Sequence, residues 1–97
     1  MPPFDLRTAT RADFEATLNE TWTLHDGGRD FPFTLVEVRP LGQPIAAGFR
    51  EPFVLVFRFR EPLRVPQRIH HWEHPRLGVV ELFVAQTSGT EVEAIIS

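Results

Sequence analysis

Cysteine and lysine are both absent from this 97-residue chain, serine occurs twice, and no apolar run exceeds nine residues. Without thiols there is neither a disulfide framework nor a thiolate metal site, so no bridge is available to staple the fold. The ten basic residues are therefore all arginine, against thirteen acids and a net charge of −3. A duplex binder carries a basic stripe. The densest arginine group here is Arg58, Arg60 and Arg64, so no nucleic-acid partner is expected. Ser88 and Ser97 have no flanking base and no G-x-S-x-G context, which leaves nucleophilic catalysis without support. A membrane span needs about 18 apolar residues, and Met1–Thr10 has no basic segment followed by an apolar one. No membrane partner is expected, and the expected localisation is cytoplasmic.

What is present is aromatic and finely punctuated. Nine phenylalanines and two tryptophans within a 42% hydrophobic composition suffice for one core, so residues 1–97 are read as a single domain. Proline, glycine or charged turns interrupt six short apolar runs, a spacing that suits strands and not long helices. Only one short helix is expected, near 11–18. Thr10 caps it, Asp13 completes a capping box, and Phe14 and Leu18 share the face that docks.

Trp22 and Leu24 alternate with Thr21, Thr23 and His25, and Asp26-Gly27-Gly28-Arg29 turns the chain into a second strand at Phe31 to Arg39. Its apolar parity switches near Leu35 and Val36, predicting a bulge or a strand buried on both faces. Pro40 to Glu51 is the longest irregular stretch, expected to be tied down by its own apolar residues. A third strand follows, in which Phe53, Leu55, Phe57 and Phe59 alternate with Val54, Val56, Arg58 and Arg60. The proline-bracketed segment 61–66 leads to a hairpin of Ile69 to Glu73 and Val79 to Gln86. Its His74-to-Gly78 turn sets Trp72 opposite Val80, His70 opposite Leu82 and His71 opposite Glu81, which sends Trp72, Val80, Leu82 and Val84 inward. Slipping by one residue would put charge in the core. Val92, Ala94 and Ile96 alternate in the last strand. The fold class is mainly β: a small antiparallel β-barrel or two-layer β-sandwich of about six strands with one short N-terminal helix.

His70-His71-Trp72-Glu73-His74 matches the H-x-x-E-H pattern of inverted zinc peptidases. That pattern needs a helix, whose i and i+4 side chains share a face. On a strand His70 and His74 stand about 13 Å apart, too far to share a zinc ion. The histidines are therefore read as strand and turn residues. Glu73 and Glu81 read as solvated positions, and Gly27-Gly28 lacks the Lys-Ser or Lys-Thr of a phosphate loop.

At Thr10 to Phe14, Leu41-Gly42, Pro52 to Arg58, Pro66-Gln67 and Glu73 to Phe83 the chain resembles the DUF6916 domain family of small bacterial proteins of unknown function. The Glu-His-Pro-x-Leu-Gly turn is the most specific part of the likeness. His70 and His71 depart from it, standing where the family tends to have an aromatic and a polar residue. The resemblance implies an accessory or assembly role near phage-tail-like fibre proteins and no catalytic residues.

The function expected is thus non-enzymatic protein binding, to itself or to a fibre-like partner, with no catalytic, cofactor or metal residues. The third strand carries more apolar surface than a small monomer covers, so the possible interface is Val54, Val56, Arg58 and Phe49. Two alternatives stand behind it. One is a small-molecule-binding β-barrel with its ligand between Trp22, Phe57 and Trp72; the other is a metal-dependent hydrolase using His70 to His74.

Overall fold

Each of the six alternating segments becomes a strand in the computed structural model, which describes residues 5–42 and 50–96. The elements are α1 (Arg11–Glu15), β1 (Thr21–Asp26), β2 (Arg29–Pro40), β3 (Phe53–Arg58), β4 (Arg68–His74), β5 (Gly78–Gln86) and β6 (Glu91–Ile96). They form one closed antiparallel barrel in the order β1-β2-β3-β6-β5-β4, with β4 returning to β1. Closure removes most free sheet edges.

Local chemistry sets the strand junctions. Gly27 and Gly28 link β1 to β2 with φ of 60° and 79°, left-handed values that a tight hairpin turn demands and glycine meets without strain. On β2 the pairing steps from Leu35↔Phe57 to Glu37↔Val56, so Val36 is the extra residue of a bulge. The bulge explains the parity switch: Phe33 and Leu35 point inward before it and Val38 packs on the core after it. In the β4–β5 hairpin Trp72 pairs with Val80, His70 with Leu82 and His71 with Glu81. The ladder continues to His74↔Gly78, which shortens the loop to Pro75, Arg76 and Leu77 without changing the register.

The core is a column of rings. Phe57 and Trp72 stack at 4.2 Å, Phe33 meets Trp72 edge-on at 5.1 Å, and Trp22 meets Phe57 at 6.0 Å. Each such pair adds about 0.5–1.5 kcal/mol beyond its buried area. Phe59 closes one end against Phe31 and Phe33, at 6.1 and 5.1 Å. Phe14 of α1 closes the other, 5.8 Å from Trp22 and 5.7 Å from Phe53.

Thr10 and Asp13 form the expected capping box, a contact worth about 1 kcal/mol. The helix is shorter than expected, however, and Leu18 does not share its docking face, being 40% exposed. After Glu15 the chain turns, with Asn19 at φ 66°, to enter β1. Thr17 takes the buried place instead, because its hydroxyl accepts the indole N–H of Trp22 at 3.1 Å while donating to the Phe14 carbonyl at 2.8 Å. The indole nitrogen of Trp72 has no partner among the described residues.

Candidate functional site

Strand alternation divides the histidines of β4 between two environments. His70 and His74 point inward and are buried, while His71 and Glu73 face out. The His70 Nε2–H donates to the Pro66 carbonyl at 2.8 Å. His74 Nδ1 accepts the Arg76 backbone N–H at 3.1 Å, which leaves the ring proton on Nε2 to donate to Glu20 at 2.8 Å. That bond, with Arg76 adding its charge at 3.0 Å, holds Glu20 below the ordinary carboxylate value. His74 is thus the brace of the β4–β5 turn, tying it to the entry of β1. The H-x-x-E-H residues do not converge. Among the described residues no group of three or more His, Asp or Glu is placed to hold a metal ion.

Outside, the pairings Asp30↔His25, His25↔His71 and His71↔Glu81 draw a titratable row across β2, β1, β4 and β5. His25 is its centre: Nδ1 lies 2.6 Å from Asp30 and Nε2 2.8 Å from Glu73. Both ring nitrogens must carry protons to donate to two carboxylates, and the bond to Asp30 first, then that to Glu73, raises the pKa of His25 above its ordinary value. His71 donates to Glu81 at 3.1 Å. The signal for this row was split between two hairpins, and only the β1–β4 closure joins them.

Two residues along β4 and β5 lies an apolar row. Ile69 pairs with Phe83, and extending the Val84↔Ala94 register by one residue sets Phe83 beside Ile95. These side chains are 60%, 53% and 65% exposed. Sequence reasoning passed over them because each shares the outward parity of its strand with a polar residue: Ile69 with His71, Phe83 with Glu81 and Ile95 with Glu93. The inward register of the hairpin already implied that Ile69 and Phe83 face out, so the signal was present.

The four residues named as a possible interface fall elsewhere. Val54 and Val56 lie on the outer face of β3 but are only 2% and 4% exposed. Arg39, paired with Val54, and Glu93, paired with Val56, reach each other at 3.7 Å over the strand between them. Arg58 is exposed and binds Glu91 at 2.6 Å, and it lines a surface groove of about 420 Å3 with Thr21, Thr34 and Phe59. Phe49 lies outside the described residues, as does most of the apolar set expected to tie down segment 40–51. In the barrel interior Trp22, Phe57 and Trp72 pack directly on one another. Among the described residues no helix is long and apolar enough to cross a membrane.

Comparison with known proteins adds a family. Residues 9–96 match the family described as Domain of unknown function (DUF6916), and the chain belongs to it. No curated protein and no solved structure matches the chain.

Proposed function

We propose that this DUF6916 chain is a non-enzymatic protein-binding domain that docks an assembly partner on the outer wall of β4, β5 and β6. The observation that carries this reading is the row Ile69, Phe83 and Ile95, three large apolar side chains each more than half exposed in adjacent positions. Single exposed apolar residues are ordinary on any surface, whereas a contiguous group of them marks a surface that another protein covers. Burying an exposed leucine- or phenylalanine-sized side chain contributes about 1.5–3 kcal/mol when complete. A row of three is therefore a sufficient nucleus for a binding hot spot. The docking face is placed here and not on Val54 and Val56, which are only 2% and 4% exposed. The fibre-like protein implied by the family resemblance is the kind of partner proposed.

A photoreactive phenylalanine analogue at position 83, with a control analogue at Arg29 on the β1–β2 turn, tests the reading in the cells that carry the gene. The expected result is one discrete adduct from position 83 that disappears in an Ile69→Asp, Ile95→Asp background. Adducts equal to those at the control position, or none, would overturn it.

A further inference from the structure

Most arginines of this chain are neutralised by a neighbouring carboxylate, as Arg68 is by Asp26 and Arg76 by Glu20. Arg60 is not. Among the described residues its guanidinium meets no acid, and it lies over the Phe59 ring, 5.3 Å from the ring centre. A guanidinium set on an aromatic face keeps its N–H groups in its own plane, where they remain able to donate.

With Arg58, Arg60 lines the surface groove of about 420 Å3, together with Thr21, Thr34 and the apolar Pro32 and Val36. Register orders these groups: Thr21 pairs with Thr34, and Thr34 with Arg58. The groove therefore crosses three strands, about 10 Å at roughly 4.8 Å between neighbours, with hydroxyls at the β1 end and cations at the β3 end. Val36, the extra residue of the β2 bulge, adds its side chain to the lining. No carboxylate is part of that lining among the described residues. Glu91 orients Arg58 from outside it, accepting from Nε at 2.8 Å and Nη2 at 2.6 Å through one oxygen. Arg58 Nη1 and the hydroxyls of Thr21 and Thr34 have no partner among the described residues. In a chain of net charge −3, the groove gathers positive charge and unspent donors.

We propose that this groove binds an acidic segment of a protein partner, with a carboxylate on Arg58 and Arg60 and an adjoining apolar side chain on Pro32 and Val36. A carboxylate is the complement of the guanidinium fork, able to accept two parallel N–H bonds. The apolar lining calls for more than a bare anion. Small ligands are held in pockets that bury most of their surface, whereas Thr21, Pro32, Arg58 and Arg60 are all exposed. A segment held by the rest of its protein needs no such enclosure, and a 10 Å crossing takes about three extended residues. This wall, β1 to β3, is not the wall of Ile69, Phe83 and Ile95, and the proposal does not rest on that row.

The probe is the capped pentapeptide Gly-Ser-Val-Glu-Glu, titrated into the full chain and followed by amide and arginine Nε–H shifts. Expected are saturating shifts at Thr21, Thr34, Val36 and the Arg60 side chain. Arg60→Gln should weaken binding by about ten-fold; Arg29→Gln, which removes the same charge from the β1–β2 turn, should leave it unchanged. Unmoved β4 and β5 amides in Arg60→Gln show that the variant is folded, and Gly-Ser-Val-Gln-Gln, which should not bind, tests the same contact on the native chain. Equal weakening by the two variants would overturn the groove as the site, since net charge alone would then explain the binding. An absence of shifts at millimolar peptide would overturn the proposal outright. Acetate or phosphate binding as tightly as the peptide would overturn the choice of occupant.

Discussion

The outer face of β3 and the outer face of β4 and β5 invert what their residues suggest. Val54 and Val56 alternate with Phe53, Leu55 and Phe57 and look like surplus apolar surface, yet they are nearly inaccessible. Phe83 alternates with Glu81 on a strand that looks solvated outside, yet it is open. The difference lies in the flanking strands. β3 runs between β2 and β6, whose Arg39 and Glu93 are long enough to meet over it. The charged groups near Phe83 bond among themselves, as His71 with Glu81 and His25 with Asp30 and Glu73, and leave the apolar row uncovered. Whether an outward apolar residue is exposed is thus decided by the reach of side chains two strands apart, not by its own strand.

Reversing the two walls gives the largest expected effect. Val56→Asp places an unpaired carboxylate where only 4% of the residue is exposed, and should cost about 3 kcal/mol or more. Phe83→Asp places the same group in solvent and should change stability by about 0.5 kcal/mol at most while eliminating partner capture. Urea unfolding midpoints at constant m separate them. Equal costs would mean that the two walls are not differently covered.

The inner and outer faces of β4 sharpen the comparison at intermediate size. His74→Ala removes the acceptor for the Arg76 N–H and the donor to Glu20, and leaves a void beside Trp22, whose ring centre is 5.1 Å away. A loss of about 2–3 kcal/mol is expected. His71→Ala removes one exposed hydrogen bond to Glu81 and should cost about 0.5 kcal/mol or less. A His71→Ala loss as large as that of His74→Ala would contradict the inward and outward assignment.

Much of the fold was legible because alternation is a local property. The register of the β4–β5 hairpin followed from keeping His71, Glu73 and Glu81 out of the core, and of the two readings of the parity change on β2, a bulge or a strand buried on both faces, the bulge is the one found, at Val36. Leu18 was misplaced because a four-residue spacing signals a helical face only if the helix lasts that long, and here it gives way after Glu15 to turns with bonds three residues apart. The closures β1–β4 and β3–β6 left no local trace. The apolar row left half a trace: the hairpin register implied that Ile69 and Phe83 face out, whereas Ile95 joins them only through the β5–β6 ladder. The low exposure of Val54 and Val56 was illegible for the same reason: their strand lies between β2 and β6, which are far apart in sequence.

The polar row beside the apolar one supplies the smallest and most specific test, a dependence on pH. His25 joins β1 to β2 through Asp30 and to β4 through Glu73, and those bonds raise its pKa in the folded state. In the unfolded chain it titrates at about 6.5. A group with a raised folded pKa contributes its full stabilisation below the unfolded value and loses it as pH rises through the folded one. Above that pH one carboxylate faces a ring lone pair, and the clamp across three strands keeps a single arm. The stability difference between the native chain and His25→Gln should therefore be largest below about pH 6.5 and shrink as the solution becomes alkaline. Thermal melts of both proteins across that interval measure it. A difference that stays flat, or grows with pH, would show that the imidazolium does not tie β1 to β2 and β4, and would leave the wall around the apolar row standing by its core alone.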